Sequence, residues 1–254
     1  MTEKNVMLEI EEEIAVIKIN RPQALNALNY DMILDLEQIL IDLEKDSTVR
    51  AVIITGGKHF AAGADISGMT ELSPDEVRAH SFRHCFNRIE NFPKPVIAVI
   101  SGFALGGGLE MALACDLRIG DKTAKLGLPE INLGLLPGAG GTIRLPRLIG
   151  AGRAKELIFS GAPIDAEVAL QYGLLNKIAD DPLAEAKKVA RMLASKPPIS
   201  LKMAKQCVNM AFDVEGVKAI EFESVAFAYC FATEDRREGV KAFAEKRAPK
   251  FTGK

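Results

Sequence analysis

The sequence from Val96 to Cys115 reads VIAVISGFALGGGLEMALAC. It opens with a short apolar run rich in β-branched residues, which is typical of a buried strand. The next residues, Ser101–Gly108, form a loop rich in glycine and alanine, and the run MALA at Met111–Ala114 favours a helix. We therefore predict that a buried strand passes through a loop of small residues into a helix whose first turn carries Glu110.

The same alternation of strand, small-residue loop and helix extends toward the N-terminus. A second loop, KHFAAGADISG, follows the apolar run Val49–Thr55. The alternation predicts an α/β fold with its site in the loops at the strand ends. The other predicted elements are strands at Val6–Glu11 and Ile14–Ile19 and helices at Tyr30–Lys45 and Pro74–Glu90, the first helix having apolar residues at helical spacing (Met32, Leu36, Ile39, Leu40 and Leu43).

Toward the C-terminus the pattern becomes helical from about Pro182. The pair Pro197-Pro198 disfavours a continuous helix and predicts a hinge. We therefore divide the chain into an α/β core at residues 1–196, which carries the site, and a helical region at 197–254. The predicted helices here are Leu183–Leu193, Ile199–Phe212, Val217–Phe231 and Asp235–Lys246.

Composition argues against several classes of protein. The 254 residues include 32 Lys+Arg and 34 Asp+Glu, a net charge of −2, so no basic field favours nucleic acid. The apolar stretch Pro95–Leu109 is too short to span a bilayer, and the acidic N-terminus does not resemble a signal peptide. We expect a cytoplasmic protein with no membrane or nucleic-acid partner. Its four widely spaced cysteines predict reduced thiols at Cys85, Cys115, Cys207 and Cys230.

Common catalytic and binding motifs are missing from the sequence. It contains no Gly-x-x-x-x-Gly-Lys-Ser/Thr phosphate loop, no Gly-x-Ser-x-Gly and no His-Glu-x-x-His. His80 and His84 are four residues apart on the helix predicted at Pro74–Glu90, but no third ligand is near them, so we predict no metal site. The glycines of Gly102–Gly108 have the wrong spacing for a dinucleotide fingerprint.

Two loops and two glutamates remain as candidates. The loops, Ala61–Ile66 and Ser101–Glu110, allow close approach of a ligand to the backbone, and unpaired N–H groups at a helix start suit an anion formed in a transition state. Close packing of helix on sheet would explain the glycines equally well. Glu110 and Glu130 could divide acid and base roles. Alternatively, Glu110 is a helix N-terminal charge and Glu130 forms a salt bridge (to Arg144 or Arg147).

The segment Lys94–Gly150 closely resembles the enoyl-CoA hydratase (crotonase) family. INRPQALNAL at Ile19–Leu28, HFAAGADISGM at His59–Met69 and FAEKRAPKF at Phe243–Phe251 share this resemblance, which covers essentially the whole chain in order. It implies a spiral of β-β-α repeats followed by a C-terminal helical region used in assembly. It also implies a homo-oligomer in which trimers pair into a hexamer.

The resemblance implies reversible syn hydration of trans-2-enoyl-CoA esters of short to medium chain length. No cofactor is implied, since CoA is part of the substrate. The oxyanion hole falls on the amides of Ala64 and Gly107. Glu110 then orients and deprotonates water, and Glu130 delivers a proton to C2. Positions near CoA are Gln23, Ala24, Leu25, Ala62, Asp65, Ile66, Ser67, Phe243 and Lys246, of which the last two reach a neighbouring subunit's CoA.

Three positions depart from the family's pattern. Gln23 and Ser67 stand where lysine is common, and Leu128 replaces a frequent glutamine.

The family's acyl pocket is shaped by the loop matching Pro137–Gly141, and other residues could line it or be plain core (Phe82, Phe86, Leu135 and Phe231). A different lyase of the family, acting on a branched, glutaconyl or alicyclic acyl-CoA, stays open as an alternative. A non-catalytic or RNA-binding relative is disfavoured because both glutamates and both loops are present.

Overall fold

The computed structural model describes residues 4–67, 69–79 and 81–254, which form two β-sheets surrounded by helices. The strands are β1 (Val6–Glu11), β2 (Ile14–Ile19), β3 (Ala51–Thr55), β4 (Val96–Ile100), β5 (Phe103–Leu105), β6 (Leu117–Gly120), β7 (Lys125–Gly127), β8 (Ile164–Asp165) and β9 (Lys177–Ile178). The helices are α1 (Tyr30–Lys45), α2 (Pro74–Ala79), α3 (Arg83–Glu90), α4 (Gly107–Ala114), α5 (Gly141–Ile149), α6 (Ala151–Ser160), α7 (Ala166–Tyr172), α8 (Pro182–Ala194), α9 (Pro198–Met210), α10 (Gly216–Phe231) and α11 (Glu234–Ala244).

The larger sheet has the strand order β1-β2-β3-β4-β6-β9 and is parallel except for the β1–β2 hairpin. Every residue of β3 and β4 is buried, as expected for the centre of a parallel sheet covered on both faces. The main core lies against α1, α3 and α4, and a smaller apolar cluster lies beneath α8. Both central strands therefore hold the loops that follow them on a rigid base.

Successive turns of the chain repeat one pattern. Each turn enters the large sheet, adds a short strand or bridge to a second layer, and then runs into a helix. The pattern is seen in β4–β5–α4 and in β6–β7 with its following helices, and Ala61 after β3 makes a parallel bridge to Ala104 of β5. This arrangement is the spiral of β-β-α repeats that the resemblance implied.

Most predicted elements agree with the structure, but one helix does not. α1, β1, β2 and β4 have the predicted bounds, and the four C-terminal helices agree within two residues. The single helix predicted at Pro74–Glu90 is wrong, because α2 and α3 are separate. Only α3 buries apolar side chains, whereas α2 buries none, and the Ser81 hydroxyl accepts a hydrogen bond from Arg83 N (3.3 Å) where α3 begins.

The helical region that begins at Pro197-Pro198 is tied to the core by polar contacts. Pro198 is the first residue of α9, where its missing N–H is not needed. Lys205 of α9 forms an ion pair with Asp116 (2.9 Å), and Arg50 Nη2 donates to the carbonyl of Phe251 (3.1 Å). No helix in the described ranges is long and apolar enough to cross a membrane.

Candidate active site

The loop after β3 and the start of α4 bring two main-chain amides side by side. Ala64 N lies 3.6 Å from the place where a Cβ on Gly107 would stand. Close approach of the two segments requires glycine at position 108, because a Cβ there would lie 2.2 Å from the carbonyl oxygen of Ala61. Neither Ala64 N nor Gly107 N donates a hydrogen bond within the described residues. Two donors are therefore available to a ligand at this point.

Glu110 lies in the first turn of α4 and is 3% exposed. Its Oε1 accepts hydrogen bonds from the amides of Ala139 (2.7 Å) and Gly141 (2.8 Å), while its Oε2 accepts none from the described residues. Burial raises the pKa of the Glu110 carboxyl, and the two amides and the nearby Arg144 charge oppose that rise. Glu110 thus has one oxygen fixed and the other available.

Glu130 lies in a short 3-10 helix, Pro129–Leu133, that follows β7. Its Oε1 is 3.1 Å from the place of a Cβ on Gly106, so the carboxyl group lies against the turn that leads into α4. Its Oε2 is buried without a hydrogen-bond partner among the described residues. Burial raises the pKa of Glu130 to about 7, and the negative charge of Glu110 adds to the rise. Glu130 therefore keeps its proton to a higher pH than an exposed glutamate does.

The salt bridge considered for Glu130 is not formed. Arg144 pairs instead with Glu90 (2.7 Å), and Arg147 pairs with Asp213 (2.5 Å). Glu110, for its part, does occupy a helix N-terminus, but its hydrogen bonds go to the turn before α5 rather than to its own helix. Neither glutamate is thus explained as a simple surface charge.

The candidate CoA-binding residues of the first half lie on adjoining segments. Ala62 N donates to the Leu25 carbonyl (3.1 Å), which joins the Ala61–Ile66 loop to the segment around Gln23 and Ala24. Gln23, Leu25, Ile66 and Ser67 are exposed, whereas Ala24, Ala62 and Asp65 are partly buried. The two segments therefore lie side by side, and contact of these residues with CoA stays a prediction.

Asp65 has a structural role within this group of residues. Its Oδ2 pairs with Arg21 (2.6 Å), and its Oδ1 accepts from the Ser67 hydroxyl (2.6 Å) and amide (3.0 Å). Hydrogen bonds from Ser67 and Arg21 lower the pKa of Asp65 to about 2. Both carboxylate oxygens hold the loop in place.

The candidates on the C-terminal side stand apart from this group. Phe243 is 88% exposed, and Lys246 is exposed with a left-handed backbone (φ 54°) just beyond α11.

Of the possible acyl-pocket residues, Phe82 lies beside Gly107 and Phe86 belongs to the core. The other two are exposed, Leu135 after the Glu130 helix and Phe231 at the end of α10.

Sequence reasoning missed two polar side chains that shape the site. Asn26 is buried with φ of 60°, and its Nδ2 donates to the carbonyls of Gly56 (2.8 Å) and His59 (2.6 Å). Arg144 was considered only as an ion-pair partner for Glu130. The Asn26 bonds span 30 residues or more, and Arg144 reaches back more than 50 residues to Asn87 and Glu90, so neither set of contacts leaves a local pattern in the sequence. The one local signal is that asparagine tolerates the left-handed region.

In the described part of the chain, no group of three or more His, Cys, Asp or Glu side chains is placed to hold a metal ion. His80, one of the two histidines considered for a metal, lies outside the described residues. All four cysteines are free thiols, with Cys85 and Cys115 buried and Cys207 and Cys230 partly buried.

Comparison with known proteins places this arrangement in a family. The model of the enoyl-CoA hydratase/isomerase family matches residues 9–254. The chain belongs to the enoyl-CoA hydratase/isomerase family.

Relatives within the family match the chain over nearly its full length. The chain is 46% identical to the short-chain-enoyl-CoA hydratase of Clostridium acetobutylicum, over 96% of this chain and 95% of that protein. It is 44% identical to the crotonyl-CoA hydratase of Syntrophomonas wolfei, over the whole of both chains. The crystal structure of an enoyl-CoA hydratase from Bacillus anthracis superimposes with a TM-score of 0.94 at 39% identity, over 99% and 100% of the two chains.

Proposed function

We propose that this member of the enoyl-CoA hydratase/isomerase family catalyses the reversible hydration of trans-2-enoyl-CoA to 3-hydroxyacyl-CoA, with short to medium acyl chains. The observation that carries the proposal is the contrast between two carboxyl groups beside two unbonded amides. Glu110 has one oxygen stabilised by two N–H donors, whereas Glu130 has a buried oxygen without a partner and a pKa of about 7. Two carboxyls in such different environments can serve as base and acid at the same pH.

In the proposed reaction the thioester carbonyl makes C3 of the enoyl group electrophilic. Glu110 takes a proton from water as the water oxygen bonds to C3, and protonated Glu130 gives its proton to C2. The N–H groups of Ala64 and Gly107 stabilise the negative charge that develops on the thioester oxygen. Because the sum of these steps adds water without a change of redox state, the reaction calls for no cofactor beyond the CoA of the substrate.

The surroundings of the site support a substrate that is bound through its CoA group. The segments around Gln23–Leu25 and Ala62–Ser67 adjoin one another next to Ala64. Phe243 and Lys246 are exposed at the C-terminal end, where we propose that they contact the CoA of a neighbouring subunit. We also propose that residues 197–254 form the assembly region of a homo-oligomer, a hexamer of paired trimers, that works in the cytoplasm.

The decisive experiment follows the loss of the enone-thioester absorbance of crotonyl-CoA. We expect turnover by the wild type and a loss on the order of 10²–10⁴ in kcat for Glu130→Gln, because a general acid contributes about that factor. Glu156→Gln, on the exposed surface of α6, is the matched control and should retain wild-type turnover. Binding of a CoA ester to Glu130→Gln, measured by calorimetry, should survive.

Two results would contradict the proposal. One is near-normal turnover by a folded Glu130→Gln variant, which would remove Glu130 from the reaction. The other is no turnover by the wild type with crotonyl-CoA or with longer 2-enoyl-CoA esters, which would direct attention to another acyl group.

A further inference from the structure

The two amides that hold Glu110 belong to a turn that has its own support. Ala139 and Gly141 donate to Glu110 Oε1 from the segment that precedes α5. Gly140 between them has φ of 111°, in the left-handed region. A turn in this conformation must be fixed from outside if its two N–H groups are to stay aligned on one oxygen.

Arg144 provides that support from the first turn of α5. Its Nη1 donates to the Ala139 carbonyl (2.9 Å), and its Nη2 donates to Asn87 Oδ1 and Glu90 Oε2 on α3 (2.7 Å each). The guanidinium occupies the space beside Gly140 so closely that a Cβ at 140 would lie 2.1 Å from Nη1. Arg144 therefore clamps the turn between α5 and α3.

We propose that Arg144 is a positioning residue for the reaction, acting through the Ala139–Gly141 turn to hold Glu110 Oε1 and leave Oε2 directed at water. This inference rests on the proposed hydratase function. Arg144 is 7% exposed and pairs with Glu90, so the clamp is buried. A general base works only within a narrow geometry, and displacement by about 1 Å through a remote change can reduce the rate on the order of 10²-fold.

The same guanidinium acts on Glu110 through its charge. The charged groups near the Glu110 carboxyl are Arg144 from α5, with its ion-pair partner Glu90 of α3, and Glu130 from the segment after β7. Arg144 opposes the effect of burial and lowers the pKa of Glu110. Loss of this charge should raise that pKa, so that ionised Glu110 is reached only at higher pH.

The test compares Arg144→Gln, Arg144→Lys and the control Arg147→Gln in crotonyl-CoA hydration. Arg147 lies on the same helix and pairs with Asp213 at the surface, away from the Glu110 turn. For Arg144→Gln we expect kcat to fall on the order of 10²-fold with KM little changed, and the ascending limb of the pH profile to move to higher pH. Arg144→Lys should keep the limb near its wild-type position but recover only part of kcat, because lysine lacks the planar fork. Arg147→Gln should resemble the wild type.

A folded Arg144→Gln with wild-type kcat, or one with lower kcat but an unmoved pH limb, would overturn the proposal in favour of a purely structural role. If Arg144→Gln does not fold, Glu90→Gln replaces it in the test. This variant keeps an acceptor for Arg144 but removes the ion pair, so it should also lower kcat. An unchanged kcat would count against the clamp. If the wild type does not hydrate crotonyl-CoA, the proposed function fails separately. In that case the pKa of Glu110, measured by NMR of ¹³C-labelled glutamate, must still rise in Arg144→Gln, and stay near its wild-type value in Arg144→Lys, for the inference to stand.

Discussion

Glu130 keeps a carboxyl group in a place that opposes its ionisation. Burial raises its pKa to about 7 from an ordinary value of 4.5, and its Oε2 has no partner among the described residues. A carboxyl whose pKa is higher in the folded state than in the unfolded state binds its proton more tightly when folded. The folded state is therefore progressively destabilised as the pH rises from about 4.5 through 7. The carboxyl that we propose as the catalytic acid is thus held at the expense of stability.

Replacement of Glu130 should reveal this destabilisation. We expect Glu130→Gln to exceed the wild type in free energy of unfolding at about pH 8, and the difference to shrink at about pH 5, where the wild-type carboxyl is already protonated when folded. Urea unfolding at the two pH values, at one fixed protein concentration, measures the difference. Glu156→Gln, with its exposed carboxyl, should show no such pH dependence. A pH-independent difference for Glu130→Gln would show that its carboxyl ionises as freely when folded as when unfolded.

At the scale of the elements, α11 is fixed by the last residues of the chain. Asp235, buried in its first turn, accepts from the amides of Thr252 (2.7 Å) and Gly253 (2.8 Å), and the Lys254 carbonyl accepts from the amides of Glu234 (2.7 Å) and Asp235 (3.1 Å). The Thr233 hydroxyl caps the helix by accepting from Arg236 N (3.1 Å). The direction of α11, and with it the position of Phe243, depends on these bonds.

Removal of the Asp235 carboxylate should weaken the packing of α11 without altering the groups that we propose as catalytic. We expect Asp235→Ala to lower the free energy of unfolding by about 1–3 kcal/mol, because the amides of Thr252 and Gly253 lose a charged acceptor. If Phe243 and Lys246 contact CoA, KM for crotonyl-CoA should rise while kcat changes little. The neighbouring Glu234→Ala removes an exposed carboxylate from the same turn and should change neither quantity. A fall in kcat at unchanged KM would separate α11 from CoA binding.

The elements also show where prediction from sequence succeeds. α1 and β4 were predicted to the residue because their apolar periodicity and flanking breakers are local signals. The helix predicted at Pro74–Glu90 is two helices, since the apolar face that fixes α3 does not continue into α2. The spiral required the family resemblance, because periodicity does not show which strands pair.

The candidate site divides in the same way. Glycine-rich loops and two glutamates in apolar surroundings were visible in the sequence, and the structure brings Ala64, Gly107 and Glu130 together. The hydrogen bonds that hold Glu110 could not be predicted from the sequence. Its hydrogen bonds come from residues about 30 positions later, and the Arg144 clamp reaches back more than 50 positions to α3. Such contacts follow from the fold and leave no local pattern.

At the scale of the whole molecule, the helical region exposes many large apolar side chains. Among the sixteen residues of α10 only Ala226 is buried, although the helix is strongly apolar. An apolar helix with so little of itself buried calls for a partner. Apolar side chains that stand out from α9, α10 and α11 are Val208, Val217, Ile220, Val225, Phe227, Tyr229, Phe231, Val240 and Phe243.

A charge placed on this surface should break the homo-oligomer that we propose. We expect Phe227→Glu on α10 to convert the oligomer into smaller species, because a carboxylate buried in an apolar interface is strongly unfavourable. Sedimentation velocity measures the change. Phe159→Glu on α6 is the matched control, since Phe159 and Phe227 are each 69% exposed and only Phe227 lies within 197–254. Dissociation by Phe159→Glu with Phe227→Glu unaffected would move the assembly surface from the C-terminal helices to the core. Smaller species formed by Phe227→Glu should also have a higher KM for crotonyl-CoA if Phe243 and Lys246 serve the site of a neighbouring subunit.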